Sequence, residues 1–407
     1  VPDRSGAKVL VTDASRGSAL TIIRSLGRGG WRVVATDVSG PSPGLHSRYA
    51  AERLIYPSPR SAPDDFVEAI LAASRRLGVD LIIPVTDDAL LPLSRARKRF
   101  AGVCQLAVPE PRALRATTDK LETIQLAREH GIPVPGTHLV ADVDRAVAQA
   151  ECFGWPVVLK PRSSRTLHDG RMSSGFRVEY AGSANELVAC LKQLEGRCDV
   201  LLQEYWPGVG HGVEMLLDQG RPLAAFQHER IREIPVHGGA SALRRSVALD
   251  PALYGPSLQL LQAISWTGLA MVEYKVAGAE FRLIEINGRV WGSLPLAVHS
   301  GMDFPARLAE LLLEGPPPPE CPPETDYRLG VHSRNPELDL MWIASVLQGR
   351  RRHASLESPP RRKALAALVQ LANPRFKSDV LSLDDPKPGL VELAKIARKF
   401  RGKLGSA

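Results

Sequence analysis

Apolar and polar side chains alternate through Leu283-Ile284-Glu285-Ile286-Asn287, and this period of two predicts a strand with Glu285 and Asn287 on one face. Met271-Val272-Glu273-Tyr274-Lys275 predicts the preceding strand, with Gly278 at the turn between them. Antiparallel pairing brings Glu273 to the Glu285/Asn287 face, and Arg289 continues that face with a cation. Two carboxylates and an amide are hard oxygen ligands of the kind that hold Mg²⁺ against nucleotide phosphates. Upstream, Pro156-Val157-Val158-Leu159 runs apolar into Lys160, and Leu201-Leu202-Gln203-Glu204 leads through Tyr205 and Trp206 into a turn at Pro207-Gly208. Lys120 stands where a helix begins, a place where a cation opposes the helix dipole and a phosphate partner is favoured.

Taken in order along residues 5 to 315, these parts resemble the ATP-grasp superfamily, most closely its carboxylate–amine ligase and biotin-carboxylase-like branches. The resemblance implies that Lys120 and Lys160 bind the α- and β-phosphates of ATP. It implies that the polar loop from Ser163 to Gly175 is a lid over the triphosphate. Gln203, Glu204, Tyr205 and Trp206 correspond to the hinge that pairs with adenine, and His211 to a ribose contact, with Glu214 a second candidate for that role. Glu273, Glu285 and Asn287 correspond to the ligands of Mg²⁺ (or Mn²⁺), and Arg289 to the arginine that steadies the transferred group. The lid departs from the more glycine-rich version common in the superfamily, carrying Arg165, His168 and Arg171.

The N-terminal stretch alternates strand and helix patterns. Lys8-Val9-Leu10-Val11-Thr12 and Trp31 to Asp37 predict buried strands around a helix ending near Leu26. The match to a dinucleotide-binding turn is poor, because Asp13 and Ser15 stand where glycines are needed, and no P-loop pattern occurs. Ligands of open α/β sheets sit beyond the carboxyl ends of strands, so Asp13, Ser15 and Asp87 are candidates to line a second-substrate site. The charged run from Phe226 ends in Gly238-Gly239-Ala240-Ser241, where backbone amides can approach an anion. Arg230, Gly238, Gly239 and Ser241 are therefore candidate walls for a carboxylate substrate, and an exposed ribbon laced with salt bridges is the competing reading.

The expected architecture is α/β: a Rossmann-like parallel sheet over residues 1–112, a lid lobe over 113–203, and a second lobe with the metal site over 204–315. A Pro-rich connector and following segment, 316–344, leads to a basic helical tail at 345–407. The formal net charge of +8 is concentrated in that tail, which carries 14 Lys/Arg against 5 Asp/Glu; the other 344 residues hold 38 against 39. Leu390, Leu393 and Ala397 fall at helical steps with basic residues between them, which predicts an amphipathic helix docked on the body or set against an anionic membrane surface. Basic residues without interleaved aromatics argue against nucleic acid. Five cysteines without a C-x-x-C pair argue against a zinc site or a disulfide framework, and point to the cytoplasm, with peripheral membrane contact as the tail's alternative.

The resemblance thus implies a ligase that uses ATP and Mg²⁺ (or Mn²⁺) to activate a small-molecule carboxylate as an acylphosphate and join it to an amine, in a homodimer. A carboxyphosphate-forming carboxylase and a catalytically silent nucleotide-binding partner are the alternatives.

Overall fold

Strongly apolar strands of four to six residues separated by amphipathic helices build the first part of the chain. The structure, a computed structural model, describes residues 6–168, 171–236, 238–349, 356 and 358–404. Asp169 and Gly170 of the expected lid and residues 350–355, 357 and 405–407 of the expected tail lie outside the described residues.

Five parallel strands stand in the order Ala50–Ile55, Arg32–Asp37, Lys8–Val11, Leu81–Ile83, Gln105–Leu106. Strand residues of opposite parity feed two cores. Leu10, Val34 and Ile82 pack on Phe66, Ile70 and Leu93. Val9, Val11 and Val33 pack on Ile22, Ile23 and Leu26 of the helix Gly17–Arg28, and this second core continues into Phe226, Met271, Trp291 and Phe304. The parallel sheet and the later lobe therefore share one hydrophobic layer.

A four-stranded antiparallel sheet follows, ordered Glu179–Ala181, Val157–Pro161, Val200–Glu204, Thr137–Leu139. The helices Val143–Phe153 and Ala184–Leu194 cover one face through Ala146, Ala150, Leu187 and Leu191. The hairpin Arg165–His168 with Arg171–Ser174 stands out from this lobe.

A seven-stranded sheet completes the fold, ordered Glu280–Asn287, Gly268–Ala277, Val209–Asp218, Arg221–Ile234, Ala240–Val247, His332–Arg334, Phe376–Ser378. Its last two strands come from beyond the Pro-rich segment, so the C-terminal part is woven into the sheet. Buried ion pairs fasten it further: Arg244 to Asp379 at 2.6 Å, and Arg24 of the first helix to Asp385 at 3.0 Å.

The helix Lys387–Leu404 docks on the body, but through a different face from the expected one. Pro388, Gly389, Glu392 and Ile396 are buried, while Leu390 and Leu393 are exposed. Ion pairs of Lys395 and Lys399 with Glu337 turn the helix: holding those two lysines inward rotates the leucine stripe to the outside. No helix among the described residues is long and apolar enough to cross a membrane.

Candidate functional site

Period-two alternation gives the seven-stranded sheet two unlike faces. Val213, Met215, Val272, Tyr274, Leu283 and Ile286 form a core with the helix Pro251–Ala263. Gly210, Arg230, Met271, Glu273, Lys275, Glu285 and Asn287 look the other way, into a cleft of about 670 Å³ between the lobes. Glu273 pairs directly with Glu285 across the strands, and Met271 with Asn287. Tyr274 pairs with Leu283, so a bulge at this point inserts one extra residue and turns Glu285 to the cleft while Leu283 stays in the core. Alternation alone placed Glu285 and Asn287 on one face; it did not reveal the bulge that aims them.

Like charges directly opposite on neighbouring strands repel, so this pair needs a cation. The amide nitrogen of Asn287 donates to Glu273 Oε1 at 2.9 Å and to Glu285 Oε1 at 3.3 Å. Arg230 Nη2 lies 2.5 Å from Glu273 Oε1. Burial raises the pKa of Glu273, against the pull of Arg230 and with the push of Glu285. Burial acts on Glu285 in the same sense, but Lys120, Lys160 and Arg230 outweigh it and hold its pKa below the ordinary value. No group of three His, Cys, Asp or Glu side chains among the described residues is arranged for a metal. The oxygen set Glu273, Glu285 and Asn287 fits Mg²⁺, which needs few protein ligands and takes the rest from water and phosphate.

Two lysines face these acids. Lys160 comes from the strand Val157–Pro161, and Lys120 opens the helix Lys120–Glu129 behind the N-cap Asp119. Lys120 Nζ donates to Ser164 Oγ at 2.9 Å, and Lys120 N–H donates to Arg162 O, which ties the helix start to the Lys160 strand. Burial pushes the Lys160 ammonium down to about 8, with Glu285 opposing the shift and Lys120 adding to it. Arg289 Nε donates to Asp87 Oδ1 at 2.9 Å; through this bond Asp87 of the parallel domain reaches the site. Burial alone would lower the Arg289 pKa, and the Asp87 carboxylate more than offsets it.

Gln203, Glu204, Tyr205 and Trp206 line the same cleft. Gln203 is buried and donates to Thr137 Oγ1, while Glu204 uses its N–H on Gly136 O and accepts Gly136 N–H at 2.9 Å. That leaves the main chain of Tyr205 and Trp206 for a ligand. One face of the Trp206 ring is covered by the Arg282 guanidinium, 3.9 Å from the ring centroid. Gly238, Gly239 and Ser241 form the wall beside Arg230, whose Nη1 reaches Gly239 O at 3.3 Å.

Three of the expected site residues stand elsewhere. His211 pairs across the strands with Tyr274 and Glu229, on the face turned away from the acids, and its Nδ1 lies 3.3 Å from Gln227 Nε2. One residue of offset on a strand reverses the face, which is why a glycine-rich turn misplaced it. Glu214, on the cleft side, is fully buried behind the wall and accepts from Ser293 Oγ at 3.0 Å. Asp13 has φ 57° and spends its carboxylate on Thr12 Oγ1 at 2.6 Å and Thr86 Oγ1 at 3.1 Å. Ser15 gives its N–H to Asp37 Oδ2 at 2.5 Å. Both belong to the internal bonding of a turn, and the turn instead sends Arg16, Gly17 and Ser18 to the cleft. Sequence reasoning also passed over Lys275, Trp291 and Ser293. Lys275 follows Glu273 by two and shares its face, a signal present in the alternation.

Comparisons with known proteins agree with this geometry. A family profile described as an ATP-grasp domain matches residues 111–198, and one described as ATP-grasp in the biosynthetic pathway with Ter operon matches 197–334. The chain is 26% identical over 230 residues to formate-dependent phosphoribosylglycinamide formyltransferase of Ignicoccus hospitalis, covering 52% of each chain. It is 30% identical over 261 residues to human carnosine synthase 1, covering 55% of this chain and 29% of that one. The chain thus spans about half the length of the first of these relatives and less of the second. Among solved structures, a biotin carboxylase–β-γ-ATP complex from Campylobacter jejuni superposes with a TM-score of 0.62 at 20% identity, covering 80% of this chain and 74% of that one. The biotin carboxylase domain dimer of Hydrogenobacter thermophilus 2-oxoglutarate carboxylase, with MgADP and bicarbonate, gives 0.62 at 19% identity, covering 80% and 73%. With both profiles running end to end through the cleft-forming lobes, this chain is a member of the ATP-grasp superfamily, on its carboxylate–amine ligase and biotin-carboxylase-like side.

Proposed function

We propose that the chain is an ADP-forming ligase that joins a small-molecule carboxylate to an amine. The observation that carries this reading is the repelling pair Glu273 and Glu285, facing two lysines and Arg289 across one cleft. Glu273, Glu285 and Asn287 would hold Mg²⁺. Bound there, Mg²⁺ would draw charge off the β- and γ-phosphates of ATP. Lys120 and Lys160 neutralise the phosphates from the lid lobe, and the main chain at Tyr205 and Trp206 takes the adenine. A carboxylate oxygen attacks the γ-phosphorus and ADP leaves. The amine nitrogen then attacks the acyl carbon, loses a proton, and inorganic phosphate departs. Arg289 stabilises the negative charge that grows on the phosphoryl oxygens, and Asp87 fixes its orientation. This chemistry needs positioning and charge rather than a nucleophilic side chain.

A screen for ADP release against pooled amino acids and small carboxylates tests the reading. Stimulation by an acid–amine pair, lost in Lys160→Ala and Glu285→Gln with an unchanged circular dichroism spectrum, supports it. Full activity of both variants sinks the site assignment. The biotin carboxylase neighbours favour a second reading through carboxyphosphate, which bicarbonate-stimulated ATP turnover without an amine distinguishes. The outward Leu390 and Leu393 of the basic C-terminal helix support either a homodimer contact or contact with an anionic surface. Sedimentation velocity and co-sedimentation with anionic vesicles separate these two.

A further inference from the structure

Arg230 occupies an odd place for a substrate-binding arginine. Its guanidinium lies 2.5 Å from Glu273 Oε1 and 3.2 Å from Glu233 Oε1, and Glu233 is also held by Lys275 at 3.0 Å. Nη1 reaches Gly239 O at 3.3 Å, while the buried Nε has no hydrogen-bond partner among the described residues. The pocket is shaped around the side chain: a Cβ on Gly210 would stand 2.9 Å from Arg230 Cδ and 3.3 Å from Glu233 Oε1. Glu233 has two cations and Glu273 has one. Glu273 also belongs to the oxygen set that fits a divalent ion. A guanidinium and a dication on one buried carboxylate repel each other strongly where water is excluded. One of them has to leave.

We propose that Arg230 is the resident counter-ion of Glu273, displaced when a divalent cation enters with its nucleotide, and that the released guanidinium becomes the binding group for the donor carboxylate. The inference rests on the ligase reading above. Glu233 keeps its hold on Nη1, so displacement is a rotation about a retained anchor rather than a loss of the side chain. Nη2 then turns toward the wall of Gly238, Gly239 and Ser241, where a charge-assisted pair with a carboxylate forms. The carboxylate subsite is made by nucleotide binding. That order keeps the donor acid out until a phosphoryl group is in place, and links the two ligands thermodynamically.

The test uses the full chain, Mn²⁺ as the cation and the β,γ-imido analogue of ATP. Mn²⁺ affinity is measured by electron paramagnetic resonance for the wild type, Arg230→Gln and Arg230→Lys. Displacement predicts that both variants bind Mn²⁺ more tightly, by about tenfold for Gln and by about threefold for Lys, which keeps the charge but loses the bidentate grip. Tightening in Arg230→Gln alone assigns the effect to net charge and overturns the proposal; unchanged or weaker binding in both does the same. ¹³C-acetate line broadening reads the second half. Broadening is expected only with metal and nucleotide present, and only in the wild type. Equal broadening without nucleotide, or none with it, overturns the hand-over. A wild type that binds Mn²⁺ equally with and without the analogue and shows no affinity for the analogue itself overturns the ligase reading as well, whereas normal nucleotide binding with insensitive variants sinks this inference alone.

Discussion

Two sets of buried charge in this molecule are built differently. In the C-terminal part every charge is closed. Arg244 and Asp379 are both buried and 2.6 Å apart, and Asp379 also accepts from Ser333 Oγ at 2.7 Å. Asp385 binds Arg24, accepts from Ser47 Oγ at 2.6 Å and from Arg48 N–H at 2.9 Å, and has little left to offer. In the cleft the charges are left open. Glu285 has Asn287 as its printed hydrogen-bond partner, Lys120 has Ser164, and the Lys160 ammonium has neither hydrogen bond nor ion pair among the described residues. Saturated pairs serve the fold; unsaturated ones wait for a ligand.

Breaking a closed pair should therefore cost stability and breaking an open one should cost binding. Asp379→Ala strands the Arg244 guanidinium in the interior and is expected to destabilise the protein by about 3–5 kcal/mol, read by urea unfolding. Should it unfold like the wild type, the division into two sets fails. Glu285→Gln comes next: nucleotide turnover should fall by about 10²-fold or more, while the unfolding free energy changes by less than about 1 kcal/mol.

Lys160 sharpens the comparison through pH. Its folded pKa is lowered to about 8 from an ordinary value of 10.5. Between those values the folded, ligand-free protein binds fewer protons at this site than the unfolded chain, so this group's contribution to stability grows as pH rises. Nucleotide binding runs the other way, because phosphate needs the ammonium. Affinity for the imido analogue should decline above pH 8 by up to about tenfold per unit, and Lys160→Gln should flatten that slope. The smallest effect belongs to His211→Ala, on the far face of the sheet: nucleotide affinity should change by less than about twofold. A large loss there would place the ribose on the wrong side of the sheet.

Much of this was legible in advance because it depends on periodicity. The alternation from Leu283 to Asn287 and the apolar run into Lys160 sit on regular strands, and a regular strand dictates which side chains share a face. The misses have local causes. A bulge between Tyr274 and Leu283 leaves no compositional trace. His211 was assigned from a glycine-rich turn, yet the strand Val209–Asp218 already includes those glycines, and parity decides its side. Asp13 and Ser15 stand at a strand end as expected, but a tight turn consumed their polar groups before any ligand could. The C-terminal helix showed its leucine stripe plainly. Which stripe faces inward was settled by Glu337, about 60 residues away in sequence and paired with Lys395 and Lys399.

The bond from Arg24 to Asp385 carries a consequence for how the protein is made. The first helix emerges from the ribosome hundreds of residues before its buried partner. Until that late acid arrives, Arg24 has to stay hydrated, and the helix cannot seat fully against the parallel sheet. The opening domain is thus the last to finish, and a chain stalled anywhere before the final strand exposes an unfinished beginning to proteases.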